Sequence, residues 1–408
     1  MLSAFVIFSF GGCSKNNNNN LQKITLYTPV YKTLSQVRAD MKTAAPQPLS
    51  ETGKIYIFGN YIFLNEVNKG IHIIDNSNPS RPKNLSFINI PGNVDIAVQG
   101  NYLYADSYSD MVVLNISNPQ NVGVVKIVEK AFPEMGFYYW QNTTNPDSIM
   151  IIADYIKRDT MVEASSQNWL GNFTKRESSG RVSFASASVA KGTGGSMARF
   201  SIVNDYLYTV SSSSLSSFSI STPQEPKLKH INNIGWGIET IYPFKNRLFI
   251  GSNSGMFIYD ITNPSIPLAL GQMSHVRSCD PVVADDMHAF VTLRSGTACQ
   301  GFTNQLEVLD VRNLMAPVRL KIYNMANPHG LAKDGKLLFI CDGKAGLKLY
   351  SASDVTNLKK IEEINGIDAY DVIAQNKLAI VVAKDGLYQF DYSMPANLRL
   401  LSKISIVD

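Results

Sequence analysis

Gly70-Ile71-His72-Ile73-Ile74-Asp75-Asn76-Ser77-Asn78-Pro79-Ser80-Arg81-Pro82 decides the fold, because it returns. It reappears as Met111-Val112-Val113-Leu114-Asn115-Ile116-Ser117-Asn118-Pro119. A third copy is Met256-Phe257-Ile258-Tyr259-Asp260-Ile261-Thr262-Asn263-Pro264-Ser265-Ile266-Pro267. Weaker copies centre on Ser219, Asp310, Ser351 and Asp391, and successive spacings from Asp75 are 40, 104, 41, 50, 41 and 40. About 14 residues ahead of each copy runs a second signal, as in Tyr61-Ile62-Phe63, Tyr102-Leu103-Tyr104 and Tyr206-Leu207-Tyr208. Polar pairs such as Gly59-Asn60, Gly100-Asn101 and Asn204-Asp205 precede it, and such pairs between β-rich runs mark hairpins.

Each unit therefore reads as an inner strand, a tight turn, a second strand, a loop, an apolar third strand, and an Asn-Pro turn into a fourth. In the second unit these are Asp95 to Val98, Tyr102 to Asp106, Met111 to Ile116 and Val122 to Val128. Four antiparallel strands per 40–45 residues is the period of a propeller blade. A lone blade exposes both apolar faces, so blades must pack around an axis. Runs of four to six residues rich in Val, Ile, Tyr and Phe exclude helical repeats of similar period. Seven copies predict an all-β, seven-bladed β-propeller over residues 51–408, with an insertion at 134–195. The first part of that insertion, Ser148 to Ile156, reads as a strand; its second part, rich in Ser, Ala and Gly and ending Lys191-Gly192-Thr193-Gly194-Gly195, reads as mobile. A degenerate eighth blade is the alternative use of the insertion. Ahead of the repeats, Lys23 to Thr28 reads as a strand and Tyr31 to Lys42 as a short helix. Ring closure calls for a strand from one terminus or the other.

Of 408 residues, 45% are hydrophobic and 17% charged, with a net charge of +4. So small an excess excludes nucleic acid as the expected partner. Leu2 to Phe10 is too short an apolar run to span a bilayer but suits a signal-peptide core. Gly11-Gly12-Cys13 after it resembles a lipobox, although no Lys or Arg precedes the run and Phe10 stands where Leu is usual. The reading is a lipoprotein signal peptide over 1–12, removed so that Cys13 becomes acylated. A tether and extension follow over 13–50, with Asn16 to Asn20 as a flexible tract.

Taken together, these residues resemble the bacterial LVIVD-repeat lipoproteins, named for the apolar strand ending in Asp. That strand appears as Ile71-His72-Ile73-Ile74-Asp75 and Leu306-Glu307-Val308-Leu309-Asp310. The most specific stretches are Cys279-Asp280-Pro281-Val282-Val283, Thr292-Leu293-Arg294-Ser295-Gly296, Asn327-Pro328-His329-Gly330-Leu331 and Phe339-Ile340-Cys341-Asp342-Gly343. The resemblance implies a propeller exported to the cell envelope, at the outer membrane, and supplies no catalytic residues.

Aligning the inner strands by their hairpins places Lys54, Asp95, Arg199, Glu239, Asp280, His329 and Asp371 at one level, around one mouth of the axial channel. Two readings apply to this ring. One is a solvated rim satisfied by water and loops. The other is a small-ligand or cation site, where carboxylates suit Ca²⁺ and His329 broadens the choice. Lys54 and Arg199 argue against a pure metal cage. Cys279 opens an inner strand and Cys299 follows the second strand of the same hairpin, so both fall at one sheet end and a disulfide there is reasonable. Cys341 is then a buried free thiol. A Cys/His metal site has no CxxC or HxxxH spacing to support it. There is no GxSxG, GxGxxG or Walker loop. Trp140, Trp169 and Trp236 could stack on sugar or pack in the core. The expectation is a non-enzymatic, lipid-anchored envelope propeller that binds or scaffolds a protein or glycan. The rival is a hydrolase or lyase that uses acidic residues of the ring.

Overall fold

The computed structural model describes residues 21–132, 138–139, 145, 147–163, 193–274, 281–295 and 303–407. They hold seven four-stranded antiparallel blades, each in sequential strand order. Blade 1 runs from Thr52–Phe58 to Lys83–Asn89, blade 2 from Ile96–Gln99 to Gly123–Val128, and blade 3 from Phe200–Val203 to Lys227–Asn233. Blade 4 runs from Ile238–Phe244 to Leu268–Ser274, and blade 5 from Val282–Ala284 to Val318–Asn324. Leu331–Asp334 to Lys359–Ile364 form blade 6, and Ala369–Gln375 to Arg399–Ser405 form blade 7.

The repeated residues shape the turn from third to fourth strand. Asp75 Oδ1 accepts from the Ser77 amide at 2.9 Å, and Asn78 Oδ1 from the Ser80 amide at 3.1 Å. Asp260 with Thr262 and Asn263 with Ser265 repeat the pair in blade 4. Such Asx bonds hold a turn that Pro then keeps from continuing as strand. The turn also binds its neighbour: the hydroxyl of Tyr104 donates to the Pro223 carbonyl, and that of Tyr208 to the Pro264 carbonyl. Between these bonds the core is apolar sheet-to-sheet packing, with Phe63, Phe200, Phe218, Phe249, Phe290 and Phe339 almost fully buried.

Among the described residues no terminal strand is exchanged to close the ring. Ile55, Ile62, Leu64 and Ile74 of blade 1 pack against Ile373, Ile380, Val382 and Leu387 of blade 7. Asn76 and Gln389 trade amide hydrogen bonds across this seam at 2.9 and 2.7 Å. A single parallel bridge, Leu49 with Ile406, is the terminal contribution.

Blade 1 carries two extra strands. Lys42–Ala44 pairs with its outer strand, and Thr193–Gly194 with its inner one. The second corrects the expectation of mobility for Thr193 and Gly194, which are paired strand; the rest of that expectation, through Gly192, lies outside the described residues. The strand at Ser148 to Ile156 is present as Met150–Glu163. It belongs to a three-stranded sheet rather than to an eighth blade.

The predicted helix is shorter, Leu34–Ala39, with a Thr33–Gln36 capping box; Leu34 and Val37 are buried. The strand before it is longer than expected, Leu21–Thr33, because the aromatic and β-branched run through Tyr31 continues it. A separate small unit contains residues 21–31 and 152–163, where Thr25 Oγ1 donates to Asp159 at 2.7 Å and Tyr27 meets Tyr155 edge to face.

Candidate functional site

Inner strands all begin at one face of the propeller, where the loops between blades and the turns from second to third strand also lie. Of the aligned ring, Lys54, Asp95, Asp371 and His329 are buried, and Arg199 and Glu239 part-buried. Asp280 lies outside the described residues, as do Cys13, Cys279, Cys299, Trp140 and Trp169. Trp236 is described and is 83% exposed.

The buried members bond to one another. Lys54 Nζ and the Arg199 amide both donate to Oδ2 of Asp95. Asp106 Oδ1 takes the amides of Val94 and Asp95 at 2.7 and 2.8 Å, and the Asn93 amide group at 2.8 Å. Burial pushes the Lys54 ammonium down to about 7 against the pull of Asp95. Burial likewise lifts the Asp106 carboxyl to about 6 and holds Asp371 well above the usual carboxylate range. Burial also lowers the pKa of Arg199, opposed by Asp95, Asp106 and Glu239.

The segment from Thr193 to Ala198 occupies the axis beside these residues. The Gly195 amide donates to the Ile55 carbonyl at 2.8 Å, and Thr193 Oγ1 reaches Gln375 at 3.0 Å. The Ser196 hydroxyl donates to Asp371 at 3.2 Å and accepts from the Leu331 amide. The Ile241 amide donates to the Ala198 carbonyl at 3.0 Å. One short stretch thus touches the inner strands of blades 1, 4, 6 and 7. A cation fits this arrangement poorly, since Lys54 already sits on Asp95. Among the described residues no three or more His, Cys, Asp or Glu form a metal-ligand group.

Beside this plugged axis the same face opens into a pocket of about 400 Å³ between blades 5, 6 and 7. Its lining includes Arg294, Asn327, His329, Lys344, Asp368 and Tyr370. Sequence alignment of the ring found His329 but missed the others; three of the four most specific stretches converge here. The floor is fixed by bonds between blades. Thr292 Oγ1 donates to the His329 carbonyl at 2.7 Å, the His329 amide to Cys341 at 2.7 Å, and the Gly330 amide to Tyr370 at 2.9 Å. The buried Asp342 carboxylate takes the Ala326 and Asn327 amides and the Lys348 ammonium. The Asn327 amide lies 3.1 Å from His329 Nε2, and the His329 and Tyr370 rings are 5.2 Å apart.

Residues 51–88 and 92–129 each match the LVIVD repeat. The chain carries LVIVD repeats. Each matched LVIVD repeat coincides with one whole blade, blades 1 and 2. No curated protein matches the sequence. Among solved structures, the chain is similar to the periplasmic gluconolactonase PpgL of Pseudomonas aeruginosa, at 12% identity and TM-score 0.55, covering 86% of this chain and 96% of that one. BamB from Moraxella catarrhalis is similar at 8% identity and TM-score 0.50, covering 89% and 97%. Sqt1 of Saccharomyces cerevisiae is similar at 9% identity and TM-score 0.52, covering 90% and 88%. At such identities the likeness shows the LVIVD propeller's fold alone.

Proposed function

We propose that this LVIVD propeller is a non-enzymatic binding module of the cell envelope, anchored by lipid on Cys13, whose pocketed face receives a protein or glycan partner. The observation that carries this reading is the pocket itself. Its floor is locked by bonds from three blades, while Lys344 at its edge stands exposed. A rigid concave floor with convergent polar groups is the usual form of a binding site. Likeness in fold to a periplasmic protein is compatible with an envelope address, and among the described residues no helix is long and apolar enough to cross a membrane.

The rival reading, a hydrolase or lyase, would use Asp95, Glu239, Asp280 or Asp371 as acid and base. Against it stands the enclosure of two of these. Asp95 is held by Lys54 and the Arg199 amide, and Asp371 by the plug, so neither presents a free carboxylate to a substrate.

A photo-crosslinking residue at Lys344, compared with one at Lys336 on the opposite face, tests the proposal in intact cells. Adducts to an envelope component from position 344 and none from 336 are expected. Equal labelling from both positions, or none from 344, overturns the reading.

A further inference from the structure

We infer that Lys54 and Asp95 condense to an isopeptide bond, an amide between Lys54 Nζ and Asp95 Cγ that ties blade 1 covalently to blade 2. The inference is independent of the binding reading and concerns the buried cluster at the axis.

Geometry gives the first part. Lys54 lies in the inner strand of blade 1, and Asp95 directly precedes that of blade 2. Both side chains are almost fully buried, and Lys54 Nζ sits against Asp95 Oδ2. A nucleophile and an electrophile held in contact react as one molecule, with an effective concentration on the order of 10⁵ M or more when well oriented. Asp95 is also polarised for attack. The Ile96 amide donates to its Oδ1 at 2.7 Å, and the Arg199 amide donates to its Oδ2. Such backbone donors stabilise the charge that develops on oxygen when Cγ becomes tetrahedral.

Proton transfer is the second part, and Asp106 is the relay. Its Oδ1 accepts from the amide of Asp95 at 2.8 Å, so its carboxyl shares the enclosure. Burial brings Lys54 down to about 7 and Asp106 up to about 6, and the neighbouring Arg199 charge presses Lys54 the same way. Groups so nearly matched exchange a proton at little cost. The step balances without a co-reactant. The Nζ–Cγ bond forms and the Cγ–Oδ2 bond breaks. Of the three ammonium protons, one stays on the amide nitrogen and two leave with Oδ2 as water.

Burial also sets the direction. In water the ion pair is favoured because both ions are hydrated. Inside the propeller that hydration is gone, and a neutral amide removes one cation and one anion from a site that also holds Arg199, Asp106 and Glu239.

Mass spectrometry of the reduced full chain tests this. The folded wild-type chain should be lighter than the unlinked chain by one water, and trypsin should release a branched peptide joining Lys54 to Asp95. Lys54→Arg keeps the cation and should yield no branched peptide. Asp106→Asn keeps both partners and should lower the linked fraction roughly tenfold or more. Separate, unmodified peptides carrying Lys54 and Asp95 from folded wild-type protein would overturn the inference, and that result needs no variant to fold. A branched peptide at wild-type yield from Asp106→Asn would overturn the relay.

Discussion

Ser196 donates its hydroxyl to Oδ1 of Asp371 across 175 positions of chain, at 3.2 Å, and the same hydroxyl accepts from the amide of Leu331. A residue that enters from between blades 2 and 3 thereby joins blade 6 to blade 7 at the axis. Asp371 is buried, and its Oδ1 accepts from both the Ser196 hydroxyl and the Val372 amide. Polar inner-strand residues in this propeller are thus the fastening of the ring as well as its lining.

Gly195 marks how tight the fastening is. A Cβ there would fall 2.0 Å from Asp371 Oδ2 and 2.8 Å from Ile55 Cγ2. Gly195→Ala is expected to cost about 1–3 kcal/mol by overpacking, and Ser196→Ala about 1–2 kcal/mol through the stranded Asp371 and Leu331 groups. Urea unfolding of the full chain measures both. A midpoint equal to wild type for Gly195→Ala would mean that residues 193–198 do not hold the axis.

Asp106 should leave a signature in pH. Its carboxyl is lifted by burial from 3.8 to about 6, against the amides of Asp95 and Val94. Between those values the folded protein keeps a proton that the unfolded chain has released. Its contribution is therefore present below about 4 and lost as pH rises through about 6. Asp106→Asn keeps the acceptor oxygen and removes the titration. Relative to wild type, the variant should gain on the order of 3 kcal/mol between pH 4 and 7, read from melting curves. A constant difference across that range would count against a buried, protonating Asp106.

Cys341 is fully buried, and burial pushes its thiol well above the ordinary value. Native protein should leave it unlabelled by a thiol reagent, with reaction only after unfolding. We propose that Cys279 and Cys299 form a disulfide, which mass mapping of non-reduced protein would detect; it closes a loop worth on the order of 3 kcal/mol. A bond from either one to Cys341 would contradict the proposed pairing.

Lipid on Cys13 is the remaining proposal from the N-terminus. Cys13→Ala should move the protein from the membrane fraction to the soluble fraction of cell extracts. Unchanged fractionation would defeat the anchor.

The blades were readable because their turns are chemically specific: Asp75 and Asn78 must accept from amides two residues on, so the pattern recurs wherever the turn does. The flanking strands Lys42–Ala44 and Thr193–Gly194 left no such trace. Each is two or three residues long, and its pairing is dictated by where an open sheet edge lies in space. The level of Lys54, Asp95 and Asp371 was legible from hairpin alignment. Their burial was not, since Lys and Asp seldom go inside unless paired, and the pairing partners sit 41 or more residues away. The pocket combines residues from Arg294 to Tyr370, and only the curvature of three neighbouring blades gathers them.

Because every blade is built from its own four consecutive strands, the repeat in the sequence and the module in space have the same limits. Blade 1 alone adds to its four strands, taking Lys42–Ala44 and Thr193–Gly194 from outside its repeat. The long segment between blades 2 and 3 enters at such a joint, so it interrupts no hydrogen-bonded ladder within either blade. That a large insertion leaves both flanking ladders whole is a consequence of where the joints fall.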